Sequence, residues 1–144
     1  MGRRIRITVP GEPGAKGSVR ACVVGGSART YKDAKTRKAM DRIQDAAVRA
    51  MEDAGANPLQ GPVAVTLRAY RAKGRPASKV GKQRAEDGLV RPVTKPDVDN
   101  YSKAALDSMN GVCYRDDAQV VRLVVEKWYS ERPRTEIEVE EWVP

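Results

Sequence analysis

The stretch Asp97-Val98-Asp99-Asn100-Tyr101-Ser102-Lys103-Ala104-Ala105-Leu106-Asp107-Ser108-Met109-Asn110-Gly111 decides the fold. Val98, Tyr101, Ala105 and Met109 fall on one side of a helical repeat, and Asn110-Gly111 stops it, so a short helix follows Pro96. On either side the period changes. Val63, Val65, Leu67 and Ala69 alternate before it, and Val120 to Trp128 form a strand-like run after it. A helix between two strands predicts a mixed α/β (α+β) chain.

Further out, Thr135 to Val139 reads as a strand reached through a turn at Ser130 to Pro133, with Ile137 and Val139 set against Glu136, Glu138 and Glu140. Ile5, Ile7 and Val9 alternate with Arg4, Arg6 and Thr8, and Pro10-Gly11 ends that strand. Gly11 to Ala28 reads as a loop or loose hairpin, with Val19 to Val24 a candidate strand. Asp33 offers an N-cap to a long helix whose face carries Met40, Ile43, Ala47, Ala50, Met51 and Ala54 until Gly55. Residues 72–95 contain Gly74, Pro76, Gly81, Gly88 and Pro92 among basic residues without periodicity, which predicts a long, basic, flexible loop. The expected architecture is one domain over residues 1–144, a mixed sheet with two main helices.

The 144 residues carry a formal net charge of +8 and no histidine. Lack of histidine excludes Ser-His-Asp and Cys-His nucleophiles, histidine-bearing zinc sites and histidine general bases. Cys22 and Cys113 belong to no paired spacing, so neither a disulfide framework nor a zinc ribbon is expected and both read as core residues. Any hydrolysis must rest on carboxylates, lysine and metal. Charge is unevenly placed: residues 1–38 hold ten Lys or Arg against two acids, residues 71–95 eight against two, and residues 96–144 six against eleven. A polyanion held by the basic segments, with a divalent cation between its phosphates and the acidic end, explains that asymmetry; a solvated surface is the plainer alternative. No segment has the length and apolarity of a membrane span, and Met1 to Pro10 lacks a secretory core, so no membrane association and a cytoplasmic location are expected.

On the predicted helix, Asp99, Lys103 and Asp107 lie four residues apart on one face, with Asp97 at its start, where exposed backbone N–H groups favour anions. Asp117, in the turn before the next strand, completes a cluster if that strand runs beside the helix. Three convergent carboxylates suit Mg2+, with Mn2+ a possible substitute, and a neighbouring lysine can neutralise charge developing on a phosphoryl group. Each acid also has an ordinary structural role open to it: Asp97 as a helix cap, and Asp116-Asp117 as a turn. A calcium loop is excluded by Tyr101 and Ser102, where Asp or Asn and Gly are required. Gly11 to Ser18 lacks the Gly-Lys-Ser/Thr of a nucleotide P-loop.

Asp97-x-Asp99-Asn100-x-x-Lys103-Ala104-Ala105-x-Asp107, followed by Gly111 and Asp116-Asp117-x-Gln119-Val120, resembles the signature of the RusA family of Holliday junction resolvases. The resemblance covers roughly residues 95–125, and the opening strand, long helix and second strand fall in the family's order. It implies a homodimeric, magnesium-dependent crossover junction endodeoxyribonuclease of recombination and repair that binds branched DNA and nicks two strands symmetrically. It further implies Asp97, Asp99 and Asp117 as catalytic metal-site carboxylates, Lys103 as the catalytic lysine and Asp116 as a secondary acid. Many members with a longer N-terminal region carry Lys-Gly-Arg-Pro-Arg where this chain has Lys16-Gly17-Ser18-Val19-Arg20. Members are often encoded by phages or prophages, which implies a bacterial or phage-infected cytoplasm. Charge alone assigns Lys16, Arg20, Arg75, Lys79, Lys82 and Arg84 to the DNA backbone. The competing readings are a non-catalytic DNA-binding protein of the same fold, which has no need of the acid–lysine set, and a magnesium-dependent nuclease acting on other branched DNA or RNA.

Overall fold

The computed structural model of the chain describes residues 2–17, 20–31, 33–73 and 78–144; within 20–31 it describes the backbone and, of the side chains, Val23. Strand β1 (Arg4–Pro10) is followed by the hairpin β2 (Arg20–Val24) and β3 (Ser27–Tyr31), then helix α1 (Ala34–Asp53), strand β4 (Val63–Ala72), helices α2 (Lys79–Glu86) and α3 (Val98–Met109), and strands β5 (Val120–Ser130) and β6 (Arg134–Glu141). A single 3-10 turn, Asp117–Gln119, leads into β5. The main sheet has the order β1-β6-β4-β5; β1 and β4 run antiparallel to β6, and β4 and β5 run parallel. The result is the expected α+β fold with one mixed four-stranded sheet.

Alternation decides which face is covered. Across the sheet Ile7, Ile137, Leu67 and Val125 stand in one row, and Ile5, Val139, Val65 and Leu123 in the next. The first three members of each row are buried, in one core with Ile43, Ala47 and Met51 of α1 and Tyr101, Ala104, Ala105 and Met109 of α3. This face therefore carries α1 and α3. The opposite face is a charged ladder: Arg4 pairs with Glu140 at 3.0 Å, Arg6 with Glu138 at 3.0 Å and Arg68 with Glu126 at 2.9 Å. Such half-exposed pairs fix cross-strand register more than they stabilise, each contributing at most about 1 kcal/mol.

A parallel pair such as β4–β5 requires a crossover, and residues 73–119 supply it. Here the structure differs from a loop spanning 72–95. Ala72 still belongs to β4, and Ser78 starts α2 by accepting a hydrogen bond from Gly81 N at 3.1 Å. Only Ala85 of α2 is buried, so the helix lacks the apolar stripe that makes a helix legible in sequence. The hairpin partner β3 was likewise unmarked. Cys113 is free and fully buried, and burial pushes its thiol up to about 12, which leaves it inert as a nucleophile. No helix among the described residues is long and apolar enough to cross a membrane.

Candidate active site

The helix starts of this chain use their first side chains differently. Asp33 Oδ1 accepts from Thr36 N at 2.7 Å, and Asp116 Oδ2 accepts from Ala118 N at 2.9 Å. Asp97 holds the same position on α3, in extended backbone, and makes no side-chain capping bond. Its exposed carboxylate stands at the end of the helix where the backbone dipole concentrates positive charge. Asp99 lies in the first turn, and Lys103 Nζ reaches Asp99 Oδ2 at 3.6 Å, with the two side chains 60% and 62% exposed. A pair this open and long leaves both charges accessible to a third group.

Asp107, one turn further, does not share that lysine. Its Oδ2 accepts from Lys16 Nζ at 3.0 Å, and Lys16 N donates to Asn100 O at 3.0 Å. Lys16, assigned to the DNA backbone by charge, is thus the pin that ties the segment after β1 to α3. At the other end of α3, Gln119 orders the approach to Asp117. Its Oε1 accepts from Arg115 N at 2.8 Å and Asp116 N at 3.1 Å, while its Nε2 donates to Leu59 O at 3.0 Å and Gly61 O at 2.8 Å. The amide is fully used, and it joins the turn before β5 to the loop before β4. Tyr114, fully buried, donates its hydroxyl to Leu106 O at 2.7 Å. Burial raises that hydroxyl far above its ordinary value, and Cys113 and the carboxylates of Asp117, Asp107 and Asp116 raise it further.

Asp97 and Asp99, with Lys103, mark the start of α3 and Asp107 lies in its last turns, while Asp116 and Asp117 stand in the turn that leads into β5. Among the described residues no three His, Cys, Asp or Glu side chains converge closely enough to hold a metal ion. The donor chemistry nonetheless fits a hard divalent cation: the candidate ligands are carboxylates, Asp97 and Asp99 are exposed, and Asp97 is not used as a cap. Asp116 differs in that its side chain and Gln119 form a reciprocal capping box.

Lys79, Lys82 and Arg84 are exposed on α2, and none forms an ion pair among the described residues. Arg75 and the side chain of Arg20 lie outside the described residues. Sequence reasoning missed what holds the segment between α2 and α3. Arg91 stacks on Trp128 with its guanidinium carbon 3.4 Å from the ring centroid, and Lys127 Nζ donates to Thr94 O at 2.6 Å. Neither contact has a signal in the sequence, because the partners lie more than thirty residues apart.

The family model described as Endodeoxyribonuclease RusA matches residues 10–140 of this chain. A protein of Bacillus subtilis (strain 168) named "Uncharacterized protein YqaN" is 41% identical over 139 residues, which covers 95% of this chain and 96% of that protein.

Proposed function

The chain belongs to the RusA endodeoxyribonuclease family, and from that premise we propose that it is a magnesium-dependent nuclease that resolves four-way DNA junctions by hydrolysing a phosphodiester in each of two strands. The family is one of endonucleases. The observation that carries the finer reading is the carboxylate of Asp97, placed at a helix start and left out of the cap, with the Asp99–Lys103 pair one turn away.

Asp97, Asp99 and Asp117 would hold the cation, with Asp116 beside them. When bound, that ion supplies Lewis acidity and positive charge at the scissile phosphate. Lys103, free to leave its 3.6 Å contact with Asp99, stabilises negative charge gathering on the phosphoryl oxygens. Gln119, bonded to the backbone of Arg115, Asp116, Leu59 and Gly61, holds the turn that carries Asp117. Lys79, Lys82 and Arg84, with Arg75 and Arg20, bind the DNA backbone, so affinity falls steeply with salt. Two symmetric nicks require a homodimer whose axis matches that of the junction. The cytoplasm of a bacterium or phage-infected cell is where such a substrate arises.

A non-catalytic DNA-binding protein of the same fold is the second reading, and it draws on the finding that no three ligating side chains among the described residues already converge. A synthetic four-way junction, labelled on each strand in turn and incubated with and without Mg2+, separates the two. Paired nicks that appear only with the ion support the nuclease. Binding without nicking under Mg2+ and Mn2+ alike leaves the binder.

A further inference from the structure

α2 packs against β5, and the chain must then reach α3 on the face that carries α1. It does so by rounding the free edge of β5 with the strap from Gly88 to Pro96. Gly88 lies flat on the indole: a Cβ there would stand 2.5 Å from a Trp128 ring carbon, and its φ of +78° is one that side chains rarely adopt. Arg91 covers the same ring at 3.4 Å, and its Nε donates to Lys127 O at 2.6 Å on the strand edge. Tyr70 stacks on Trp128 with centroids 6.4 Å apart, and Arg134 lies over Tyr70 at 3.9 Å. Among the described residues the buried indole Nε1 has no hydrogen-bond partner, so ring contacts rather than a hydrogen bond orient Trp128. Beyond the edge, Thr94 is held twice, its carbonyl by Lys127 Nζ at 2.6 Å and its hydroxyl by Arg71 at 3.0 Å. Lys95, the cis-linked Pro96 and then Asp97 follow at once.

We propose that Arg91 is a positioning residue: it rivets this strap to the edge of β5 and thereby sets where Asp97 and Asp99 stand. The catalytic consequence rests on the nuclease reading above, whereas the rivet itself does not. Within the strap only Pro92 is buried, Leu89, Val90, Val93 and Thr94 are exposed, and α2 buries one residue, so little apolar packing holds the strap in place of these contacts. An Arg also has a competing use, as a direct phosphate contact, and the two uses differ in what lysine can replace. A phosphate contact needs positive charge; a planar stack with a directed Nε–H bond needs guanidinium.

The test compares wild type with Arg91→Ala, Arg91→Lys and Trp128→Leu in the full chain. Three quantities are read: junction nicking (kcat and KM) with Mg2+, junction affinity, and amide exchange across residues 88–100. Positioning predicts that all three variants lose kcat by about tenfold or more. It predicts little change in junction affinity, and exchange that quickens in 88–100 while β1, β4 and β6 stay protected. Arg91→Lys guards against one route of misfolding, since it leaves in place the indole that Trp128→Leu removes. The proposal is overturned if Arg91→Lys restores the wild-type rate, if Arg91→Ala weakens junction binding with exchange unchanged, or if exchange in the strap is the same in all four proteins. Should wild type itself fail to nick, the nuclease reading fails, and the exchange profiles still decide whether the rivet exists.

Discussion

Asp33 and Asp97 occupy the same position on two helices and do different things. Asp33 closes α1 by accepting from Thr36 N, while Asp97 stands at the head of α3 with no such bond. α1 has twenty residues and an apolar face of Ile43, Ala47 and Met51 buried in the core, and it still uses its cap. α3, shorter at twelve residues, does without one. An uncapped start forgoes about 1 kcal/mol. A residue type at a structural position does not tell its role; what the side chain touches does.

Substitution at the two positions sharpens that contrast. Asp97→Asn should lower nicking by roughly 10²-fold or more while Tm and junction affinity stay near wild type, since no cap is lost. Asp33→Ala should do the reverse, costing about 1 kcal/mol and several degrees of Tm with turnover retained below the transition. A thermal melt paired with a nicking assay on both variants and on Asp97→Ala, which unlike Asn cannot cap, reads this directly; a large Tm loss in Asp97→Ala would make it a cap after all. Gln119→Ala stands between them. It removes four hydrogen bonds at once and should cost roughly 1–3 kcal/mol in denaturant unfolding as well as slowing nicking. Unfolding midpoints equal to wild type would show that the amide does not hold the turn.

The smallest effect is expected at the root of α2. The Lys73 ammonium holds the Glu86 carboxyl below its ordinary value, and Glu86 in turn raises Lys73 above 10.5. A depressed carboxyl stabilises the fold above its unfolded value of 4.5, and the contribution is lost as pH falls through the folded one; the lysine's share is present below 10.5 and lost as pH rises through its folded value. Glu86→Gln should therefore lower Tm slightly at neutral pH, and the gap should close in acid. A gap constant from neutrality down through the carboxyl range would contradict the pairing.

The sheet and the two core helices were legible because their buried faces follow a simple period: Ile5, Ile7 and Val9, or Ile43, Ala47 and Met51. The Asp33 cap was legible for the same local reason. α2 was not, because its stability comes from Ser78, Ala85 and the Lys73–Glu86 pair rather than from an apolar stripe. At the site, the spacing of Asp99 and Lys103 foretold their contact, but Asp107 turned to Lys16, ninety-one residues away, which no local spacing can announce. The Arg91–Trp128 stack was hidden for the same reason. Gln119 stood in the signature, yet its work is visible only once Leu59 and Gly61 are brought beside it.

Ion binding by carboxylates from separate segments is the point on which the account turns. Calorimetric titration of Mn2+ into wild type, Asp97→Asn and Asp117→Asn, each bound to a junction whose scissile phosphates are non-hydrolysable, measures it without turnover. The account predicts saturable binding in wild type that is weakened in both variants alike. Wild-type binding by Asp97→Asn and Asp117→Asn would contradict it.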